Sequence, residues 1–111
     1  MVENPPPAGT LARLESVIAA RSGASPDSSY VAKLTARGVP EIAKKLGEEA
    51  VEAIIAALSG SREQLVGEAA DVLFHLLVLL GAKQVSLAEV LADLDRREGT
   101  SGLAEKASRS S

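Results

Sequence analysis

The stretch from Glu48 to Asp71, EEAVEAIIAALSGSREQLVGEAAD, decides how this chain folds. Within it, Ser59-Gly60-Ser61 separates two apolar helical patterns, and acidic residues stand on both sides of the break. A helical hairpin turn centred near Gly60 sets residues equally distant from it side by side. Glu52 then faces Glu68, and Glu49 faces Asp71. At about 100° per residue, Glu49 and Glu52 lie about 60° apart on their helix, as do Glu68 and Asp71 on theirs. Glu48 falls about 40° from Glu52, and His75 lies between Glu68 and Asp71 in angle. The same register places Lys45 opposite His75. Four carboxylates converging at one level repel one another, and some stay protonated at neutral pH unless a cation intervenes. Taken singly, either helix reads as an ordinary solvated acidic face. The symmetry about the turn, and the apolar residues that bury both helices, argue for a shared site instead.

Working outward, the helix before the break runs from Pro40 to about Leu58 and should bury Ile42, Leu46, Ala50, Ala53, Ile54 and Ala57. The helix after it opens with the capping box Ser61-x-x-Gln64 and continues to about Gln84. A second capping box, Ser86-x-x-Glu89, opens a helix through Arg97 with Leu87, Val90, Leu91 and Leu94 in one stripe. Upstream, Thr10 is the expected N-cap of a helix striped by Leu11, Leu14, Val17 and Ile18, ending at Ser22-Gly23. A short helix over Ser29 to Arg37 follows, with Tyr30, Val31 and Leu34 as apolar contacts and Gly38 closing it. Residues 1–9, with Pro5-Pro6-Pro7, read as a mobile arm, and residues 99–111 as a polar tail. Residues 10–98 are then one all-α domain, a bundle of about five helices around the central antiparallel hairpin. Residues Val72 to Leu80 are apolar nearly all round, so that helix needs cover on most sides. A homodimer that completes the bundle supplies it.

Composition agrees with close helix packing. Hydrophobic residues make up 46% of the 111, yet Tyr30 and Phe74 are the only aromatic ones. No cysteine is present, which excludes disulfides and thiolate metal sites and fits a reducing cytoplasm. A formal net charge of −3 gives no electrostatic reason to expect nucleic acid or an anionic membrane as partner. No secretory signal is expected from the Val-Glu-Asn-Pro start. The Val72 to Leu80 run, interrupted by His75, is shorter than the roughly 20 residues of a membrane span.

Facing carboxylates call for a hard cation with oxygen ligands. Mg²⁺ fits, keeping several waters and bridging carboxylates to substrate phosphates, and Mn²⁺ takes the same ligands. One histidine and no cysteine argue against zinc. Such a site recruits a di- or triphosphate and lowers the pKa of a bound water. A carboxylate not fully engaged with the ion can take the proton from the attacking water. The chain has no Gly-rich phosphate loop, and a single histidine gives no basis for a Ser-His-Asp set.

Around these acids the sequence resembles a known family. Residues 43–52, AKKLGEEAVE, and 68–80, EAADVLFHLLVLL, are similar to the phosphoribosyl-ATP pyrophosphatase family, within the all-α nucleoside triphosphate pyrophosphatases. Residues 29–34, SYVAKL, resemble the family's Ser-Tyr-x-x-Lys-Leu segment, and the ending from Arg96 to Arg109 resembles the tail of many members. The resemblance implies Mg²⁺-dependent hydrolysis of 1-(5-phosphoribosyl)-ATP to the AMP compound and pyrophosphate, the second step of histidine biosynthesis. It maps Glu49, Glu52, Glu68 and Asp71 to the metal ligands, and makes Glu48 a further ligand or, with Glu49, the catalytic pair that handles water. Lys44 and Lys45 become candidates for the substrate phosphates, with Lys33 and Arg37 on the preceding helix and His75 as further substrate contacts. For Lys45 an i to i+4 pair with Glu49 is an equal alternative, for Lys33 and Arg37 an ordinary surface charge is at least as good a reading, and for His75 a hydrogen-bonded core position is the commoner role. Tyr30 either stacks on a base or belongs to the core. Members of the wider superfamily that the resemblance implies are usually dimers or tetramers, in line with the need to cover the apolar helix.

Two other functions fit part of the pattern. A house-cleaning pyrophosphatase for ordinary or damaged nucleoside triphosphates would keep the metal site. An acidic helical module that binds a basic partner would keep only the acidic strip.

Overall fold

The computed structural model describes residues 7–99 together with Gly102, Lys106, Ala107 and Arg109. Among them are five principal helices and no strand: α1 (Pro7–Ser22), α2 (Tyr30–Arg37), α3 (Val39–Ser59), α4 (Arg62–Ala82) and α5 (Leu87–Arg97). Helix α1 opens at Pro7 and not at Thr10. Proline is well suited to a first helical turn, where its missing N–H is not needed. Thr10 Oγ1 instead accepts a hydrogen bond from Arg13 at 3.3 Å. The expected arm 1–9 otherwise falls outside the described residues, and the tail 99–111 falls mostly outside them.

The remaining helix ends follow local chemistry. Ser29 caps α2 by accepting from the Ala32 N–H at 3.2 Å. Gly38 joins α2 to α3 at φ 96°, a left-handed conformation that favours glycine. Both expected capping boxes are formed, Ser61 with Gln64 and Ser86 with Glu89. Gly60 serves through close approach, since a Cβ there would stand 2.6 Å from Gln64 Oε1 and 3.0 Å from the Ala56 carbonyl oxygen. The α3–α4 turn therefore has no room for a side chain.

Helices α3 and α4 make the most extensive pairing in the chain. At one end the pair is buttressed by α1, α2 and α5 around Ile18, Val31, Leu34, Ile42, Leu77, Val78 and Leu87. Glu15 of α1 ties α5 to this end, its Oε2 accepting from the Leu87 N–H at 2.7 Å. At the other end the α3–α4 hairpin projects without a partner among the described residues. Val51, Ile54, Ile55, Leu58, Leu65 and Val66 are exposed there, and Leu58 is 82% exposed. Ile54 and Ala57, expected in the core, therefore lie open, because no other helix among the described residues reaches that far. Helix α4 is also longer than the Val72–Leu80 run suggests, and by length and composition it is apolar enough to cross a membrane.

Candidate active site

The acidic residues gather where the buttressed end of the hairpin gives way to the projecting end. One carboxylate oxygen each of Glu49, Glu68 and Asp71 lies within 4.8 Å of the others. Helix α3 presents Glu49 and α4 presents the other two, as the hairpin register requires. Glu49 is buried at 7% exposure, Glu68 half-buried and Asp71 exposed. Glu68 Oε2 is enclosed and has no hydrogen-bond partner among the described residues. An unpartnered buried carboxylate oxygen carries a large desolvation cost.

Glu52 adjoins this group, and the charge of Glu49 holds its carboxyl above the usual carboxylate range, with desolvation adding to the effect. Glu68 is also raised, first by desolvation and then by Glu52, Glu49 and Asp71. The two line a cleft of about 340 Å³ that runs toward Gly60 and Gln64. Glu48 stays outside the group, exposed and 3.9 Å from Lys45 Nζ.

Lys45 stands between the acids and a second cleft. Its Nζ lies 3.3 Å from Glu49 Oε1, and this bond raises the ammonium's pKa. The second cleft, about 260 Å³, brings Arg37, Lys44 and Lys45 together with Tyr30, Glu41 and Glu48. Lys33 is exposed on α2 and lies outside it.

His75 does not pair with Lys45. It is 5% exposed, and both of its ring nitrogens are engaged. Nδ1 lies 2.8 Å from the Asp71 carbonyl oxygen, and Nε2 lies 2.8 Å from the Tyr30 hydroxyl. The Tyr30 ring stacks on Phe74 with centroids 6.1 Å apart, and His75 meets both rings edge-on. Sequence reasoning gave Tyr30 and His75 separate roles and did not pair them. The available signal was scarcity: the chain has one tyrosine, one phenylalanine and one histidine, and all three meet here.

Comparison with known proteins settles the lineage. The sequence profile of the phosphoribosyl-ATP pyrophosphohydrolase family matches residues 11–98. The chain belongs to that family. It is 68% identical to the phosphoribosyl-ATP pyrophosphatase of Erythrobacter litoralis over 90% of this chain and 96% of that one. The counterpart from Rhizorhabdus wittichii is 66% identical over 91% and 95%, and that from Dinoroseobacter shibae 67% identical over 89% and 97%. The match to the pyrophosphohydrolase profile spans all five acidic residues and both clefts.

The donor set fits a small divalent ion. The carboxylate oxygens of Glu49, Glu68 and Asp71, presented by two facing helices, would close around such an ion, which takes oxygen ligands. The same closure would give Glu68 Oε2 the partner it lacks.

Proposed function

We propose that this chain hydrolyses 1-(5-phosphoribosyl)-ATP to 1-(5-phosphoribosyl)-AMP and pyrophosphate, the second step of histidine biosynthesis. We further infer that Mg²⁺, or Mn²⁺ in its place, is held by Glu49, Glu52, Glu68 and Asp71. The observation that carries this reading is the convergence of Glu49, Glu68 and Asp71 around an unpartnered Glu68 oxygen, in a chain of this family.

Bound there, the ion neutralises polyphosphate charge and makes water a better nucleophile. The protein's own groups do the rest. Arg37, Lys44 and Lys45 line one cleft and receive phosphate oxygens, and Lys33 adds positive charge from the same helix as Arg37. Glu48 borders that cleft and is not part of the three-carboxylate group, so it is free to take the proton of the attacking water. The new P–O bond comes from water, the α–β anhydride P–O bond breaks, and pyrophosphate leaves with the bonding pair. Positioning and electrostatics account for most of such a transfer.

The working unit is a homodimer. Helix α4 and the outer half of α3 leave large apolar side chains exposed, and no element among the described residues covers them. Each large aliphatic side chain gains about 1.5–3 kcal/mol on full burial. A second copy packing hairpin on hairpin buries this face and leaves no need for lipid around α4.

Pyrophosphate release from phosphoribosyl-ATP, measured with and without Mg²⁺, tests the reading. Glu49→Gln and Asp71→Asn should abolish release while the fold persists. Release that survives both variants, or that needs no divalent ion, contradicts it. An acidic binding module would show no release at all, only weaker capture of a basic partner by the variants.

A further inference from the structure

The cleft between α2 and α3 has two ends, and helix geometry sets them apart. On α3, Lys45 stands four residues before Glu49, about 6 Å along the axis, and Glu41 eight residues before it, about 12 Å. Arg37 joins Glu41 in this cleft from the last turn of α2, with Gly38 between the two helices. Phosphates clamped on an ion at the acidic group lie nearest Lys45. The end with Arg37 and Glu41 is left to another part of the substrate.

That end is not simply cationic. Arg37, Glu41 and Lys44 line the same cleft, yet their side chains make no hydrogen bond or ion pair with any described residue. Opposite charges are thus held side by side without neutralising one another. A polyphosphate offers only acceptors and negative charge, so Glu41 repels it. A sugar phosphate offers both kinds of group: oxygens for the fork of Arg37, and hydroxyl protons for a carboxylate. Buried Leu34 and the Tyr30 ring complete the lining. At about 260 Å³ the cleft is smaller than the roughly 300–1,000 Å³ of sites for drug-sized ligands, and it suits one pentose phosphate.

Phosphoribosyl-ATP carries two phosphate-bearing arms: the triphosphate, and a ribosyl 5-phosphate on the opposite side of the base. We propose that Arg37 and Glu41 hold the second arm, Arg37 taking the 5-phosphate and Glu41 the ribose hydroxyls, and that this subsite selects phosphoribosyl-ATP over ATP. ATP has no such arm and leaves both charges without a partner. Neither residue touches the reacting phosphorus. They determine specificity, while the acidic group and its neighbours carry the cleavage.

The assignment rests on the hydrolytic reading above for its substrate but has a test of its own, with ribose 5-phosphate as the probe. In EDTA, a millimolar excess of it should shift the ¹H–¹⁵N amide signals of residues 37–44 in the labelled full-length protein. Arg37→Met and Glu41→Gln should each remove those shifts. Absence of any shift there, or equal shifts from inorganic phosphate, overturns the proposal, because the second result marks an anion site that ignores the sugar. In kinetics, each variant should lower kcat/KM for phosphoribosyl-ATP by about 10–100-fold, as expected for a lost hydrogen bond to a charged group. Inhibition by ATP should change far less. Arg62→Met, which removes an exposed cation at the start of α4, should alter neither. Equal losses for both nucleotides contradict the proposal. So does a lowered melting temperature of Glu41→Gln with kinetics intact, which would assign Glu41 to the first turn of α3 alone. Should the wild-type chain be inert on phosphoribosyl-ATP, that result falls on the reaction, and the ribose 5-phosphate spectra still decide the subsite.

Discussion

Lys45 Nζ stands 3.3 Å from Glu49 Oε1, setting a cation one helical turn before the most buried carboxylate of the acidic group. The pair relieves part of the repulsion among Glu49, Glu52, Glu68 and Asp71 while no divalent ion is bound. Lys45→Met should therefore destabilise the metal-free protein only slightly at neutral pH, since partly exposed ion pairs contribute little. The stabilisation by saturating Mg²⁺ should grow, since the ion then relieves repulsion that Lys45 no longer does. Thermal unfolding of both proteins with EDTA and with Mg²⁺ reads this difference. Equal Mg²⁺ shifts would show that Lys45 does not screen the cluster.

Glu68 gives a pH signature. Its folded-state carboxyl is raised, chiefly by desolvation and then by the neighbouring acids. A group raised in the folded state lends stability below its unfolded pKa and loses it as pH rises through the folded value. Glu68→Gln should thus leave the melting temperature nearly unchanged in acid, where both side chains are neutral. Toward neutral pH the metal-free variant should become the more stable by a few degrees. With Mg²⁺ present the order should reverse, because the variant lacks a charged ligand. A difference independent of pH would contradict the assignment.

The turn is equally exposed to test. A Cβ on residue 60 would press against Gln64 Oε1 and the Ala56 backbone. Gly60→Ala should cost about 1–3 kcal/mol, as overpacking does. For a domain of about this size each kcal/mol lowers the melting temperature by roughly 4–8 °C. An unchanged melting temperature would mean that the turn relaxes freely.

The projecting hairpin predicts association. Leu58→Asp and Ile54→Asp place charge on a face that one protomer leaves open, so each should shift the assembly toward monomer in sedimentation equilibrium. Gly67 supplies a second reading. One protomer has open space for a Cβ there, and helix propensity alone favours alanine by about 1 kcal/mol. Destabilisation by Gly67→Ala would indicate that a second copy packs closely at that point. A wild-type chain that sediments as a monomer contradicts the dimer.

Much of this architecture could be read from spacing. The two capping boxes and the Gly60 break fixed the starts of α4 and α5 and the hairpin register, because caps and tight turns depend on local chemistry. The three acids that meet are ones the register placed together, and Lys45 pairs with Glu49 at the i to i+4 spacing. What periodicity could not reveal is where the neighbours end. Ile54 and Ala57 fit an apolar stripe as well as Ile42 does, yet Ile42 lies where α2 packs on α3 and joins the core cluster, and they do not. The Tyr30–His75 bond joins residues 45 positions apart through α2, a helix whose packing angle no local pattern specifies. Glu48 and Glu49 are neighbours in sequence, but only Glu49 turns fully toward α4. The difference is one helical step, and it separates a candidate ligand from a candidate base.

The central claim is that this acidic hairpin cleaves phosphoribosyl-ATP between its α and β phosphates. The most direct measurement compares pyrophosphate release from phosphoribosyl-ATP and from ATP at equal concentration, each with Mg²⁺ and with EDTA. The account predicts Mg²⁺-dependent release from phosphoribosyl-ATP, far exceeding that from ATP, and none with EDTA. Ready turnover of ordinary triphosphates with no release from phosphoribosyl-ATP would contradict it.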